Sequence, residues 1–346
     1  MKISVIVPTY RRIPSLERCL AALAAQYRMP DEVVVIVRNS DSATLQFLEG
    51  WRRRRGSALN LRVVRVDPPG QVAALNAGLD SAAGDIAAIT DDDAAPRKDW
   101  LQRIEEHFRS DPALGGLGGR DWVYENGRLL SGAKMTVGKI QWFGRVIGNH
   151  HLGIGGPREA DLLKGVNMAF RREAIRHVRF LACLKGTGAQ MHNEIDFCLK
   201  VKKAGWKVVY DPQVAVDHYP APRFDADKRS SFHAESFANR AHNETFALMN
   251  NFSPGRSLLY LLWAFAVGNR MYPGFLQWLR LLPQSPRLAS QKWKAAVKGR
   301  IDGLKTWRRM KGGSALESGR RDADCRPGGR VGNHAASSAG GKQAVR

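Results

Sequence analysis

The segment Ile86-Ala87-Ala88-Ile89-Thr90-Asp91-Asp92-Asp93 decides the fold. Its first five residues are too short for a helix and read as a buried strand, halted by three carboxylates. Like charges side by side at a strand end repel one another unless a cation neutralises them. Hard oxygen ligands suit Mg²⁺ or Mn²⁺, ions that commonly travel with the phosphates of a substrate. The competing reading is a solvated acidic turn that opens a helix at 100–108, with an aspartate as its N-cap.

Toward the N-terminus, strand-like and helix-like stretches alternate. Residues 3–7 form a β-branched run stopped by Pro8, and 14–26 carry Leu16, Leu20 and Leu23 at helical spacing. Strands at 32–37, 61–66 and 85–90 and helices at 43–54 and 72–82 follow. Strands alternating with helices imply βαβ units and a parallel sheet covered on both faces. Ligands of such sheets sit outside the carboxyl ends of the strands. The loops 8–12, 38–42 and 91–94 meet there, which favours the metal reading of the aspartates.

The middle of the chain is mixed. Gly115-Gly116-Leu117-Gly118-Gly119 lacks the strand–GxGxxG–helix context of a dinucleotide site and reads as a close-packed strand or bulge. Residues 165–172 read as a strand running into a helix start. A helix is expected over 194–205, then a strand at 207–210 ended by Asp211-Pro212. From 258 to 267 the chain is strongly apolar, about half the ~20 residues that a membrane span needs. With Arg270, Trp278 and Arg280 following, this suits either an interfacial helix pair or a helix packed on the rest of the protein. Residues 292–311 are basic and suit an anionic lipid surface. From 312 on, few large apolar residues remain, as in a disordered tail.

The formal net charge of +22 on 346 residues points to acidic partners: phosphates, anionic lipid or nucleic acid. No helix-turn-helix, zinc-finger, RRM or KH pattern accompanies it, so nucleic acid is not expected. The four cysteines show no CxxC pair, which argues against a zinc site or a disulfide framework and fits a reducing compartment. No signal-peptide pattern precedes the first strand. Two further acidic clusters stand out. In Asn193-Glu194-Ile195-Asp196, at a helix start, one carboxylate can be a general base and the other a dipole-favoured cap. In Asp217-His218, just past a strand expected at 214–216, the histidine is either packed or in contact with a metal or phosphate.

Four segments in order, ISVIVPTYRR (3–12), LNAGLDSAAGDIAAITDDDAAP (75–96), GVNMAFRREA (165–174) and NEIDFCLKVKKAGWKVVYDP (193–212), resemble family 2 glycosyltransferases over roughly residues 1–220. The resemblance implies an α/β protein of the GT-A fold, a Rossmann-like, mostly parallel sheet with helices on both faces, plus a C-terminal helical extension. It implies an inverting transfer from a nucleotide-sugar, with Mn²⁺ or Mg²⁺ as cofactor. By the same resemblance Pro8, Thr9 and Tyr10 lie along base and ribose, and Asp92 lies at the ribose–diphosphate. Asp91 and Asp93 match the DxD aspartates that hold the metal, and His218 matches a histidine that joins them. Gly165, Asn167 and Arg171 border the acceptor side, and Glu194 falls where the family has its catalytic aspartate, with Asp196 as the other candidate base. Arg12, Asn39, Asp41 and Asn76 complete the expected donor-binding set. The chain departs from the family pattern at Arg38-Asn39-Ser40-Asp41, where many members carry an acidic pair, and at Leu75, where many carry arginine.

The expected organisation is a catalytic domain over 1–225, a helical extension at the membrane surface over 226–311, of which 257–311 makes the contact, and a disordered basic tail over 312–346. The expected partners are a nucleotide-sugar donor and a saccharide or lipid-linked acceptor. The expected place is the cytoplasm, peripheral on the inner face of the cell membrane. A sugar nucleotidyltransferase is the alternative enzyme, but the glycine-rich, lysine-containing signature of that class is missing at Pro8-Thr9-Tyr10-Arg11-Arg12.

Overall fold

The short β-branched runs pair as parallel strands because both of their faces are apolar. In the computed structural model, which describes residues 1–55, 58–224 and 232–313, β1 (Ile3–Thr9), β2 (Glu32–Arg38), β3 (Leu61–Val66) and β4 (Ile86–Thr90) lie parallel in the order β4-β1-β2-β3. The crossovers are α1 (Ile13–Ala24), α2 (Ser42–Arg55) and α3 (Gln71–Ser81). Side chains alternate along each strand, so each feeds two cores. Leu16, Cys19, Leu20 and Leu23 of α1 pack with Val5, Val7, Val33 and Val35 on one face. Val72, Leu75 and Leu79 of α3 pack with Ile6, Val34 and Ile36 on the other.

After β5 (Ala94–Pro96) and α4 (Trp100–Ser110), β6 (Leu114–Glu125) extends the sheet. Short strands β7 (Arg128–Leu129), β8 (Lys139–Ile140), β9 (Val146–Ile147) and β10 (Arg158–Glu159) precede β11 (Asn167–Arg171) and β12 (Lys207–His218). The main sheet runs β10-β12-β6-β11-β4-β1-β2-β3, with β11 antiparallel to both its neighbours. The glycines of β6 make this end of the sheet close-packed. A Cβ on Gly119 would stand 1.5 Å from the Val214 carbonyl oxygen.

Two expectations are corrected here. Residues 172–177 form turns, with no helix after β11. And the strands expected separately at 207–210 and 214–216 are one, which continues past Asp211-Pro212 to His218 through a register shift between Asp211 and Val216. Proline cannot donate to the ladder, so the strand passes it as a bulge rather than ending. This continuation carries His218 opposite Ala94, beside the aspartate cluster.

The C-terminal part is helical: α5 (Asn193–Lys203), α6 (Ala234–Asn251), α7 (Pro254–Ala266), α8 (Phe275–Leu281) and α9 (Pro286–Gly313). α6 and α9 approach closely because Gly299 and Gly303 face the Ala238 and His242 carbonyls, where a Cβ would stand 2.2 and 2.8 Å away. Phe246 and Leu248 of α6, with Tyr260 and Ala264 of α7, belong to the same buried cluster as Ile6 and Phe170 of the sheet. Among the described residues no helix is long and apolar enough to cross a membrane. Cys19 and Cys198 are buried free thiols and Cys183 is half-buried. Cys325 and the expected tail from 314 on lie outside the described residues.

Candidate active site

Parallel strands that end together leave their loops to wall a crevice. At the carboxyl ends of β1 to β4 a cavity of about 240 Å³ is lined by Pro8, Thr9, Tyr10 and Arg12, by Arg38 at the end of β2, by Gly70 and Gln71 at the start of α3, and by all three aspartates. Thr187–Ala189 and Arg223 close it from later in the chain. A larger cavity of about 580 Å³ opens near Arg172 and Arg176 at the opposite end of β4; Arg171 lines it, but none of the expected donor-binding, metal or catalytic residues does.

The three aspartates occupy three different settings. Asp91 is half-buried on the pocket wall and accepts a hydrogen bond from Gln71 Nε2 at 3.0 Å. Burial and the neighbouring Asp93 push its carboxyl above the usual range. Asp92 is buried, accepting from Thr9 Oγ1 at 2.8 Å and pairing with Arg12 at 2.9 Å. Burial still pushes it up to about 7, because Arg12 offsets only part of the lost hydration and Asp93 adds repulsion. Burial also works against the Asp93 charge. Here the His218 imidazole, the Ala221 N–H at 2.9 Å and Arg12 outweigh it, and Asp93 stays below the usual carboxylate range.

His218 stands between two acids, with Nε2 3.3 Å from Asp93 and Nδ1 3.4 Å from Asp121. Asp121 is fully buried in β6 and also contacts the Lys164 amine. Burial opposes its charge, yet Lys164 and His218 bring it down to about 2. The two acids in turn raise His218 against its own burial, favouring the imidazolium. Among the described residues no three His, Cys, Asp or Glu side chains converge to cage an ion. The donor set nevertheless fits a hard divalent cation that shares its shell with a diphosphate. Asp91 offers carboxylate oxygens to the pocket, whereas Asp93 would exchange its contacts with His218 and Arg12 for the ion.

Glu194 and Asp196, inseparable by spacing, separate in space. Asp196 is buried, its Oδ1 accepting from the amides of Asn250 and Asn251 at 2.7 Å each, while its other oxygen pairs with Lys200 at 2.8 Å. It fastens α5 to α6. Glu194 is half-buried at the first turn of α5, and burial pushes its carboxyl up to about 7, with Lys164 offsetting only part. Asp91 is near enough to raise it further.

Several expected contacts fall outside the pocket. Asp41 caps α2 through Thr44 and accepts the Arg11 N–H at 2.5 Å, so it braces the first loop. Asn39 donates to Asp67 on the surface. Asn76 clamps the backbone of Phe180 with two bonds of 2.9 Å. Asn167 accepts from Trp100 Nε1 at 2.9 Å and donates to the Val214 carbonyl at 2.8 Å, locking β11 across to β12. Gly165 has open space where a side chain would be.

Sequence reading missed Gln71, Gln190, Asp121 and Lys164. Gly70, at φ 111°, leaves no room for a Cβ because the Gln190 side-chain oxygen would lie 2.3 Å from it. That same oxygen accepts the Val72 N–H at 3.0 Å and caps α3 from 118 residues away. No local signal marks Gln190. Asp121 had one, a single acid in a glycine-rich, apolar strand.

Residues 4–179, just over half of the chain, match the family model described as Glycosyl transferase family 2. Over 228 residues the chain is 24% identical to the glucosyl-dolichyl phosphate glucuronosyltransferase of Haloferax volcanii, covering 63% of this chain and 69% of that one. Over 231 residues it is 24% identical to the amylovoran biosynthesis glycosyltransferase AmsB of Erwinia amylovora, covering 65% and 72%. Four other curated relatives are each matched over a third or less of their own length. Among solved structures, the mannosyltransferase PcManGT from Pyrobaculum calidifontis, in complex with GDP-Man and Mn²⁺, superposes with a TM-score of 0.52 at 19% identity, covering 89% of this chain and 87% of that one. With its parallel sheet, its antiparallel β11 and a sequence match that runs from one to the other, the chain belongs to glycosyl transferase family 2 and has the GT-A fold.

Proposed function

We propose that this glycosyltransferase moves a sugar from a nucleoside-diphosphate-sugar to an acceptor hydroxyl with inversion at the anomeric carbon. The observation that carries the reading is a crevice walled by Asp91, Asp92 and Asp93 with a half-buried carboxylate, Glu194, outside its lining but near enough for the Asp91 charge to act on it. Tyr10, with the Arg11 and Arg38 guanidinium groups over its ring at 5.0 and 4.9 Å, lines the crevice where the nucleotide base would lie. Arg12 and Arg223 line the same pocket and favour its phosphates. Asp91 and Asp93, joined by His218 once its imidazolium gives up a proton, would hold Mn²⁺ or Mg²⁺, which would supply positive charge to the departing diphosphate.

Glu194 takes the proton of the acceptor hydroxyl as its oxygen bonds to the anomeric carbon. The bond from that carbon to the phosphate oxygen breaks, and the nucleoside diphosphate leaves with the electron pair. Direct displacement inverts the sugar. Asp196 holds α5 against α6 so that Glu194 keeps its position. We assign catalysis to 1–225 and the helical extension to 226–311. The acceptor is a saccharide or a lipid-linked sugar of a cell-surface polymer or glycolipid, a reading supported by the relatives named for amylovoran and for glucosyl-dolichyl phosphate. The site of action is the cytoplasmic side of the membrane.

A donor screen tests this. The protein is incubated with UDP-, GDP- and dTDP-sugars in Mn²⁺, Mg²⁺ or EDTA, and free nucleoside diphosphate is followed. The expected result is release from one donor, abolished by EDTA and by Asp93→Ala. Absence of both release and nucleoside-diphosphate binding across the panel overturns the reading.

A further inference from the structure

α8 is a seven-residue helix, Phe275–Leu281, with five large apolar side chains, and none of its residues is buried. α7 presents a second apolar row, Leu258 and Leu262, each 60% exposed, while its opposite face buries Tyr260 and Ala264 in the protein core. Trp142, 71% exposed, lies beside them, its loop held to α7 by Arg256, which donates to the Trp142 and Gln141 carbonyls. Solvent-facing apolar side chains concentrated on one helical pair mark an interaction surface rather than scattered surface residues.

The surface is rigid. Its turn is closed by Gly274 N donating to the Val267 carbonyl at 3.1 Å, and the buried Arg300 donates to the Tyr272 and Pro273 carbonyls at 2.6 and 3.0 Å. Trp278 of α8 stacks on Trp293 of α9 with centroids 4.8 Å apart. So the exposed residues are held out on a scaffold.

Charge identifies the occupant. Residues 254–313 contain twelve lysines and arginines and one carboxylate, Asp302. Arg270, Arg280 and Arg287 are exposed around the apolar residues. A second copy of the chain would bring two such basic fields together, which repel. A bilayer with anionic headgroups satisfies both features at once, because the acyl boundary takes the leucines and phenylalanine and the headgroups take the arginines and lysines. We infer that the α7–α8 face, with Trp142, docks in the plane of an anionic lipid bilayer. The same element reaches the catalytic helix, because Tyr272 Oη lies 2.8 Å from Nε2 of His192, the residue that precedes α5.

The test is flotation of the full chain with vesicles of phosphatidylcholine alone or of phosphatidylcholine and phosphatidylglycerol in equal parts. The chain is expected to float with the mixed vesicles only. The double variant Leu262→Asp/Leu276→Asp is expected to float about tenfold less or worse, since two anchors lose their apolar contact. Both positions are exposed, so the thermal midpoint and nucleoside-diphosphate binding should not change. No flotation with mixed vesicles, undiminished flotation of the variant, or a dimer in solution that the variant disperses would each overturn the inference. Flotation needs neither donor nor acceptor, so failure of the donor screen leaves its outcome independent.

Discussion

The sequence puts Glu194 forward as the base with Asp196 as the other candidate, and in the fold Asp196 is taken up by Asn250, Asn251 and Lys200 while Glu194 meets only its own backbone N–H among the bonds that lower its carboxyl. The two carboxylates therefore predict opposite consequences. Glu194→Gln should lower kcat by roughly 10²–10⁴-fold, the range lost with a general base, as read in a donor-plus-acceptor assay. Because burial pushes Glu194 up to about 7, kcat should fall as pH drops through about 7 rather than through the ordinary glutamate range near 4.5. The stability effect has the reverse sign. A carboxyl whose folded value is raised binds its proton better folded than unfolded, so ionising it destabilises, and stability declines as pH rises from 4.5 toward 7. Glu194→Gln should therefore leave the thermal midpoint at pH 8 unchanged or higher while activity is lost. Asp196→Ala strands the Asn250 and Asn251 amides and should cost about 2–3 kcal/mol in denaturant unfolding.

The elements were mostly legible because their cause is local. β1, β2 and β4 are continuous apolar runs, and α1 carries its stripe at helical spacing, so period and length suffice. β12 was read as two strands because Pro212 is a true stop signal in isolation. It is overridden by the bulge, which needs a partner strand without side chains. Gly119 supplies that partner. Gly119→Ala would drive a methyl into the Val214 carbonyl and should cost at least about 3 kcal/mol, measured by chemical denaturation, with loss of the His218 position. The turns at 172–177 were misread as a helix start because Arg171 and Arg172 look like helix formers. In the fold Arg171 donates to the Leu114 and Phe108 carbonyls, and Arg172 to that of Gly84.

At the scale of the whole molecule, the C-terminal helices are no detachable appendage. Tyr260 and Ala264 share a core with the sheet, and Asp196 ties α5 to α6. A chain ending at 253 should lose more than the about 3–5 kcal/mol typical of deleting one buried aromatic, and its thermal midpoint should drop accordingly. The choice between interfacial and packed helices at 258–282 resolves by face. One side of α7 packs in the core and the other, with α8, meets solvent. The sequence by itself determined the alternating α/β order, the aspartate cluster at a strand end and the basic C-terminal helices, because hydrophobic period and like-charge clustering are written in neighbouring residues. Only the tertiary structure decided that Asp196 is tied to α6, that Asp41, Asn76 and Asn167 serve as braces, and that His218 meets Asp93 and Asp121. Those outcomes depend on hydrogen-bond partners brought together from residues far apart in the chain, which no local pattern encodes.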